Sequence, residues 1–219
     1  MDSFSGAITR RYDGLSKQEC CLSCGKALSF APVKRGDVCV DLGCGQGNDA
    51  MRMAILTGEQ GRVYGIDLSD GMLYAARDYA ARFSLDNAVF INSPFEQLSL
   101  DDSLADIVIS NCAINHSRDQ GAVWKEIARI LKPGGCFVVS DIYALEAVPA
   151  EYANDPVAVS ECWAGAVTLD EYIRNITNAG LAELEMLEES VPYEKGKVRV
   201  ASFTIRGEKP SNGENKPCK

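Results

Sequence analysis

Residues 38–47 read VCVDLGCGQG, and this stretch decides the fold. Its first half is a short apolar run, and its second half carries glycine at every other position. A helix-like segment, residues 48–56, follows directly. A strand, a glycine-rich turn and a helix in this order place unhindered backbone at the carboxyl edge of a sheet, where open α/β folds bind ligands. We therefore predict a ligand site at this turn.

Apolar runs and helical patterns alternate beyond the turn. Further strands are predicted at residues 63–67, 88–91, 105–110 and 136–139, with helices at 70–83 and 120–131. After residue 141 an amphipathic helix at 168–179 and two strands at 183–190 and 198–205 are predicted. Such alternation is typical of right-handed βαβ units. We predict an α/β fold with a Rossmann-like, doubly wound, seven-stranded, mostly parallel sheet and helices on both faces.

Three segments are expected along the chain. Residues 37–207 should form the α/β domain. Residues 1–36 carry closely spaced cysteines and are predicted to be a lid over the substrate. Because residues 1–30 are polar, we expect them to bury little apolar surface and to be mobile. Residues 208–219 contain proline, glycine, asparagine and lysine, and they are expected to form a disordered tail.

Composition narrows the class of partner. The 219 residues carry a net charge of −9, which disfavours nucleic acids and anionic membrane surfaces because both require a basic face. No apolar run approaches the roughly 20 residues that span a bilayer, and the first residues lack the pattern of a signal peptide. We expect a cytoplasmic monomer that acts on a small molecule.

The chain has nine cysteines, a high count for a reducing compartment, where cysteines more often bind metals or react than form disulfides. Cys39 and Cys136 lie within predicted strands and are interpreted as core residues. The crowded, polar-flanked thiols of Cys20, Cys21 and Cys24 suit a soft metal or metalloid. Zinc is disfavoured because a second C-x-x-C pair is absent and the sequence has a single histidine.

Asp67 ends the second predicted strand, 20 residues after Gly47. A carboxylate at this place can accept hydrogen bonds from ribose hydroxyls. The turn departs from the dinucleotide fingerprint, which would need glycine in place of Asn48. The alternative is that Asp67 only caps the following helix, and we favour ribose binding.

Three stretches resemble the class I S-adenosylmethionine-dependent methyltransferases: DLGCGQG at 41–47, GIDLS at 65–69 and LKPGG at 131–135. The resemblance covers most of residues 37–141. It implies that the glycine turn and Asp41 lie against the methionine portion of the donor and that Cys44 is a packing residue. It also implies roles for Leu68 and Met72 at the adenine faces. The binding set implied for S-adenosylmethionine is Asp41, Gly43, Gly45, Gly47, Asp67, Leu68, Met72, Ser93, Phe95 and Asn111.

Residues 107–118, 139–142 and 149–180 are similar to the arsenite methyltransferase branch of this family. The resemblance implies arsenite methylation, and hence arsenic detoxification, with trivalent arsenic held by three thiolates. These thiolates would come from Cys162 and from two of Cys20, Cys21 and Cys24. We predict that Cys20, Cys21 and Cys162 bind the arsenic. Two features depart from the branch: no cysteine lies between residues 162 and 218, and His116 replaces a residue that is usually apolar.

Cys112 is interpreted as a packing residue, with a supporting role beside the arsenic site as the alternative. Arsenic(III) brings its own lone pair and needs no general base, whereas oxygen and nitrogen acceptors usually do. A cellular thiol reductant, of the glutathione or thioredoxin type, would reset any oxidised thiols. Two alternatives stay open: a methyltransferase for a small organic acceptor with His116 as base, and a non-enzymatic metalloid-binding protein.

Overall fold

The computed structural model describes residues 3–16 and 25–211. The strands of its one sheet are β1 Val38–Leu42, β2 Arg62–Asp67, β3 Ala88–Asn92, β4 Ala105–Asn111, β5 Leu131–Ala144, β6 Ala182–Glu189, β7 Tyr193–Lys195 and β8 Val198–Glu208. The helices are α1 Ser3–Leu15, α2 Ala27–Phe30, α3 Asn48–Thr57, α4 Asp70–Arg82, α5 Gln120–Ile130, α6 Ala150–Ala153, α7 Pro156–Ser160 and α8 Leu169–Asn178.

The strands run in the order β3-β2-β1-β4-β5-β8-β6, and the short β7 pairs with β8 outside this path. The first five are parallel to one another, whereas β8 is antiparallel to both β5 and β6. This confirms the predicted doubly wound, mostly parallel sheet. Since the chain order reverses between β1 and β4, the carboxyl ends of these two strands open the crevice in which such folds bind ligands.

Two of the three buried clusters in the described part of the chain form the core on the two sides of the sheet. One contains the rings of Trp124, Phe137, Tyr172 and Phe203, which meet edge to face with centroids 4.9–5.6 Å apart. The other contains Cys39 and Cys136, so both cysteines are core residues as predicted. In the part of the chain that the structure describes, no helix has both the length and the apolar character required to cross a membrane.

The structure extends two strands beyond their predicted bounds. β5 begins at Leu131 and includes Pro133 and Gly134, although the strand was predicted to begin only at residue 136. β8 continues to Glu208, which pairs with Cys136, and the N–H of Gly134 donates to the carbonyl of Lys209. Long antiparallel pairing with β8 therefore overrides the local breaker signal.

Helix α1 shows that the expected lack of apolar burial before residue 30 was wrong. Phe4, Ala7 and Ile8 are buried on this helix, and Ala27 and Leu28 are buried on α2. Residues 17–24 lie outside the described part of the chain.

The hydroxyl of Tyr172 generates a prediction about stability. The side chain is fully buried, and its hydroxyl has no hydrogen-bond partner among the described residues. Tyr172→Phe keeps the ring and removes a desolvated, unpaired group, so the free energy of unfolding should rise by about 1 kcal/mol. Tyr193→Phe is the matched control, because it deletes a half-exposed hydroxyl that bonds Ser202 at 2.7 Å. Urea denaturation measures both, and a loss of stability in Tyr172→Phe would contradict the prediction.

Candidate active site

A cavity opens at the carboxyl ends of β1, β2 and β4, with helix α1 across it. The side chains that reach it come from the glycine turn, from both neighbouring strand ends and from α1. The residues that line it are Phe4, Ser5, Ile8, Tyr12, Asp41, Gly43, Cys44, Gly45, Gln46, Asn48, Asp49, Asp67, Leu68, Met72, Phe95, Glu96, Asn111, Cys112, Ala113, His116, Ser117 and Arg118.

The glycine turn is shaped by three positive φ angles, at Gly43, Gly45 and Gly47, and by close approaches at the first and last of these. Gly43 has φ 76°, and a Cβ there would lie 2.3 Å from Cβ of Ala113, just beyond the end of β4. Gly47 has φ 82° and begins α3, packed against the ring of Phe90. Only glycine allows this path, because a side chain would clash at both positions. Gly43 therefore lets the ends of β1 and β4 meet at the cavity.

Asp67 projects from the end of β2 into the cavity. Its Oδ2 accepts the N–H of Gly45 at 2.9 Å, and its Oδ1 accepts the N–H of Ser69 at 2.9 Å. The cap of α4 is Ser69, whose Oγ accepts the N–H of Met72 at 3.1 Å. Each carboxylate oxygen has a second lone pair, so Asp67 can still accept hydrogen bonds from a ligand. Ser69, and not Asp67, is the N-cap of α4, and ribose binding by Asp67 stays a prediction.

Three carboxyl groups make the cavity favourable for a cation. Burial raises the pKa of Asp67, and burial together with the charges of Asp49 and Asp67 raises the pKa of Asp41 well above its usual range. Burial also raises the pKa of Asp49, and the neighbouring Arg52 opposes this shift. A positively charged ligand would relieve this crowding, because an opposite charge favours the ionised carboxylates.

Asn111 ends β4 and is held at both ends of its amide. Its Nδ2 donates to Oδ2 of Asp49 at 2.9 Å, and its Oδ1 accepts the N–H of Ala27 at 3.1 Å. The side chain therefore fixes the position of the Asp49 carboxylate at the cavity wall.

Eight of the ten residues predicted to bind the donor line the cavity, and two do not. Gly47 instead supports the turn. Ser93 is buried, and its hydroxyl donates to the carbonyls of Pro94 and Gln97. The residues that the sequence reasoning missed include Phe4, Ile8 and Tyr12 of α1. Their spacing of four residues is the signal that predicts one face of a helix.

Cys112 and Cys162 lie next to each other beside the cavity. Cys112 is half-buried at the end of β4, where it packs against a buried cluster and also lines the cavity. Cys162 is buried behind it, with Sγ 3.8 Å from the carbonyl oxygen of Cys112 and 3.8 Å from Oδ1 of Asp141. Both residues have positive φ, 53° and 75°. Cys20, Cys21 and Cys24 lie outside the described residues.

The loop that carries Cys162 is seated on the segment after β4. Gly165 permits this contact, because a Cβ there would lie 1.8 Å from the carbonyl oxygen of Asn115. The buried amide of Asn115 donates to Oδ1 of Asp141 at 2.8 Å and to the carbonyl of Ile142 at 2.7 Å. These contacts bring Cys162 from a distant part of the chain to the end of β4.

Burial raises the pKa values of both the Cys162 thiol and the Asp141 carboxyl. Burial, followed by the charges of Asp141 and Cys112, raises the pKa of Cys162 well above its usual range. Burial raises the pKa of Asp141 to about 7. Within residues 3–16 and 25–211, no three His, Cys, Asp or Glu side chains are grouped so that they could hold a metal ion.

His116 connects α1 with the segment before Cys162. Its Nδ1 lies 3.1 Å from the carbonyl of Val159, and its Nε2 lies 2.9 Å from the hydroxyl of Tyr12. A carbonyl can only accept, so Nδ1 carries the proton and Nε2 accepts from Tyr12. Burial lowers the pKa of His116 to about 4. The ring is therefore neutral near pH 7.

The comparisons with known proteins agree with this geometry. A family model described as "Methyltransferase domain" matches residues 33–190. The arsenite methyltransferase of Halobacterium salinarum is 32% identical over 165 residues, which are 75% of this chain and 42% of that protein. The 27-O-demethylrifamycin SV methyltransferase of Amycolatopsis mediterranei is 33% identical over 172 residues, 77% of this chain and 62% of that protein.

Among solved structures, the arsenic(III) S-adenosylmethionine methyltransferase of Chlamydomonas reinhardtii is similar with a TM-score of 0.77 and 32% identity. The match covers 96% of this chain and 75% of that chain. The resemblance to the arsenite methyltransferase branch is thereby confirmed. The chain spans less than half the length of the curated arsenite methyltransferases from Halobacterium salinarum and Aquipseudomonas alcaligenes, 42% and 45%.

The low pKa of His116 generates a prediction for the pH dependence of stability. Between pH 6.5 and 4 the unfolded chain binds a proton at this histidine and the folded protein does not, so falling pH favours unfolding. From pH 7.5 to 4.5 the parent should lose about 2.5 kcal/mol of unfolding free energy relative to His116→Gln. Urea denaturation at both pH values gives the free energy of unfolding of each protein. The contributions of the carboxyl groups are common to both proteins and cancel in the difference between them. Parallel pH curves for the two proteins would contradict the low pKa.

Proposed function

Because the chain belongs to the methyltransferase-domain family, we propose that it transfers a methyl group from S-adenosylmethionine to thiolate-bound trivalent arsenic. The observation that carries this proposal is the meeting of Cys112 and Cys162 at the wall of an acid-lined cavity. The similarity to arsenite methyltransferases supports the same substrate.

The cavity suits the proposed donor in charge and in shape. Asp67 would accept the ribose hydroxyls, and the apolar side chains of Leu68, Met72 and Phe95 would contact the adenine. Asp41 and Asp49 would face the positively charged methionine end. S-adenosylmethionine supplies a methyl group bound to a cationic sulfur. The raised pKa values of these carboxyl groups are what such a charge would offset.

Arsenic would be bound by Cys112, Cys162 and one thiol of the segment that contains Cys20, Cys21 and Cys24. Each arsenic–sulfur bond would form as a thiol sulfur replaces a hydroxide of arsenous acid, and the thiol proton would leave with that hydroxide as water. A protonated Cys162 is therefore a competent starting state. Cys112, which lines the cavity, would hold the arsenic nearest to the donor.

Methylation of arsenic(III) uses the lone pair of arsenic, so no side chain has to remove a proton. The formal oxidation state of arsenic rises by two when the methyl cation is accepted. A small thiol or dithiol reductant of the glutathione or thioredoxin type would return these two electrons and become a disulfide. We propose a cytoplasmic monomer, consistent with the demand for reduced thiols.

Asp67→Ala tests the donor site. The variant should bind S-adenosylmethionine about ten- to a hundredfold more weakly, because charge-assisted hydrogen bonds to the ribose are lost. Isothermal titration calorimetry measures the dissociation constant, and circular dichroism checks that the fold is kept. An unchanged dissociation constant would refute the ribose assignment.

Cys112→Ala and Cys162→Ala test the acceptor site. Each should abolish methylation of arsenite, detected by the mass of methylated arsenic, while binding of S-adenosylmethionine is retained. The matched control is Cys136→Ala, which removes a buried thiol of β5 outside the cavity and should keep the activity. Parent-like arsenite methylation by Cys162→Ala would rule out the thiolate model and favour the organic-acceptor alternative, in which the cysteines have no role.

A further inference from the structure

Helix α1 forms one wall of the cavity. Phe4, Ile8 and Tyr12 recur every four residues, and all three line the cavity. The apolar side of α1 therefore borders the cavity as well as the neighbouring helices. Any ligand that fills the cavity gains contacts with α1, and α1 gains contacts with the ligand.

α1 depends on its docking for its helical structure. It has 13 residues, and isolated helices of this length are marginal in water. Its described contacts are chiefly with α4 and α7, rather than with the strands of the sheet. Docking and helix formation are therefore one equilibrium, which contacts at the cavity can shift.

One group of contacts attaches α1 to the nucleotide side of the cavity. Oδ1 of Asp13 accepts hydrogen bonds from the hydroxyl of Ser69 and from the N–H of Gly71 at 3.0 Å. Directly after the helix, the carbonyl of Ser16 accepts a hydrogen bond from Nε2 of Gln46 at 3.0 Å. These contacts reach the start of α4, directly after Asp67, and the glycine turn.

A second group attaches α1 to the acceptor side. Tyr12 donates to Nε2 of His116, and the same imidazole donates to Val159 in the helix before Cys162. The Tyr12 and His116 rings meet edge to face, with centroids 5.4 Å apart. The guanidinium of Arg118 lies 4.2 Å from the ring centroid of Phe4. The Tyr12–His116 bond is part-buried, and both partners line the cavity.

We propose that Tyr12 and His116 are positioning residues that hold α1 against bound donor, so that helix docking and donor binding stabilise each other. The identity of the ligand rests on the proposed function. Because Nδ1 is engaged by a carbonyl, the imidazole presents its lone pair to Tyr12 rather than to an acceptor molecule.

The coupling has a direct consequence for the rate of ligand release. On this proposal, a donor molecule covered by α1 leaves when the helix undocks. Weakening the Tyr12–His116 hydrogen bond should therefore shorten the residence time of the donor. Loss of one neutral hydrogen bond should raise the dissociation constant about fivefold, with a similar rise in the dissociation rate. A residue with a merely structural role would lower stability without changing the exchange protection that the ligand confers on α1.

The test uses S-adenosylhomocysteine as the probe with the full chain. Its dissociation constant, its dissociation rate and amide hydrogen exchange in residues 3–15 are measured for the parent, Tyr12→Phe and His116→Leu. Both variants should show about fivefold weaker binding and reduced ligand-induced protection of α1. Combining them should add little, because both remove the same bond. His116→Gln keeps an acceptor for Tyr12 and should recover part of the affinity.

Tyr193→Phe is the matched control, since it also loses one tyrosine hydrogen bond but lies outside the cavity. It should behave as the parent does. If Tyr12→Phe binds the probe as the parent does, with equal protection of α1, the positioning role is wrong while the donor site stands. If the parent fails to bind the probe, the donor assignment is wrong and the positioning role falls with it.

Discussion

The close approach between the turn after β1 and the end of β4 constrains the whole site. Gly43 leaves no room for a side chain because Ala113 occupies that space, and the glycine can adopt the positive φ that the turn requires. This contact places the carboxyl groups of the donor side beside the chain segment that begins with Asn111 and Cys112. If the two strand ends were held further apart, a methyl group bound on one side could not reach an atom bound on the other.

The two halves of the site use burial in opposite ways. On the donor side, buried carboxyl groups stand close together, and a cationic ligand lowers the energy of their ionised forms. On the acceptor side, burial and the nearby Asp141 raise the pKa of Cys162 well above its usual range, so its thiol stays protonated and adds no second charge beside that carboxyl group. The low dielectric of the buried site penalises an isolated charge. It therefore favours a cationic ligand beside the carboxyl groups and a thiophilic ligand beside the protonated Cys162.

Much of the fold could be predicted from local pattern, because strands, glycine turns and helices carry short-range signals. The β1 turn, Asp67, and the core positions of Cys39 and Cys136 were of this kind. The full length of β5 could not be predicted from local pattern, because pairing with β8 outweighs the low strand propensity of Pro133 and Gly134. The neighbourhood of Cys112 and Cys162 was also hidden, since it depends on contacts such as Gly165 against Asn115 between distant segments. For α1, the helical spacing of Phe4, Ile8 and Tyr12 was present in the sequence. The polar residues between them led to the prediction that this segment buries little apolar surface.

The left-handed backbone at Cys112 and Cys162 has a consequence for stability. A residue with a side chain loses about 1 kcal/mol in this conformation relative to glycine, so each position is locally unfavourable for the fold. Cysteine at two such positions fits the thiol role proposed for both residues. On the proposed function, the local strain at Cys112 and Cys162 is a cost to stability that is tolerated because the thiols are required there.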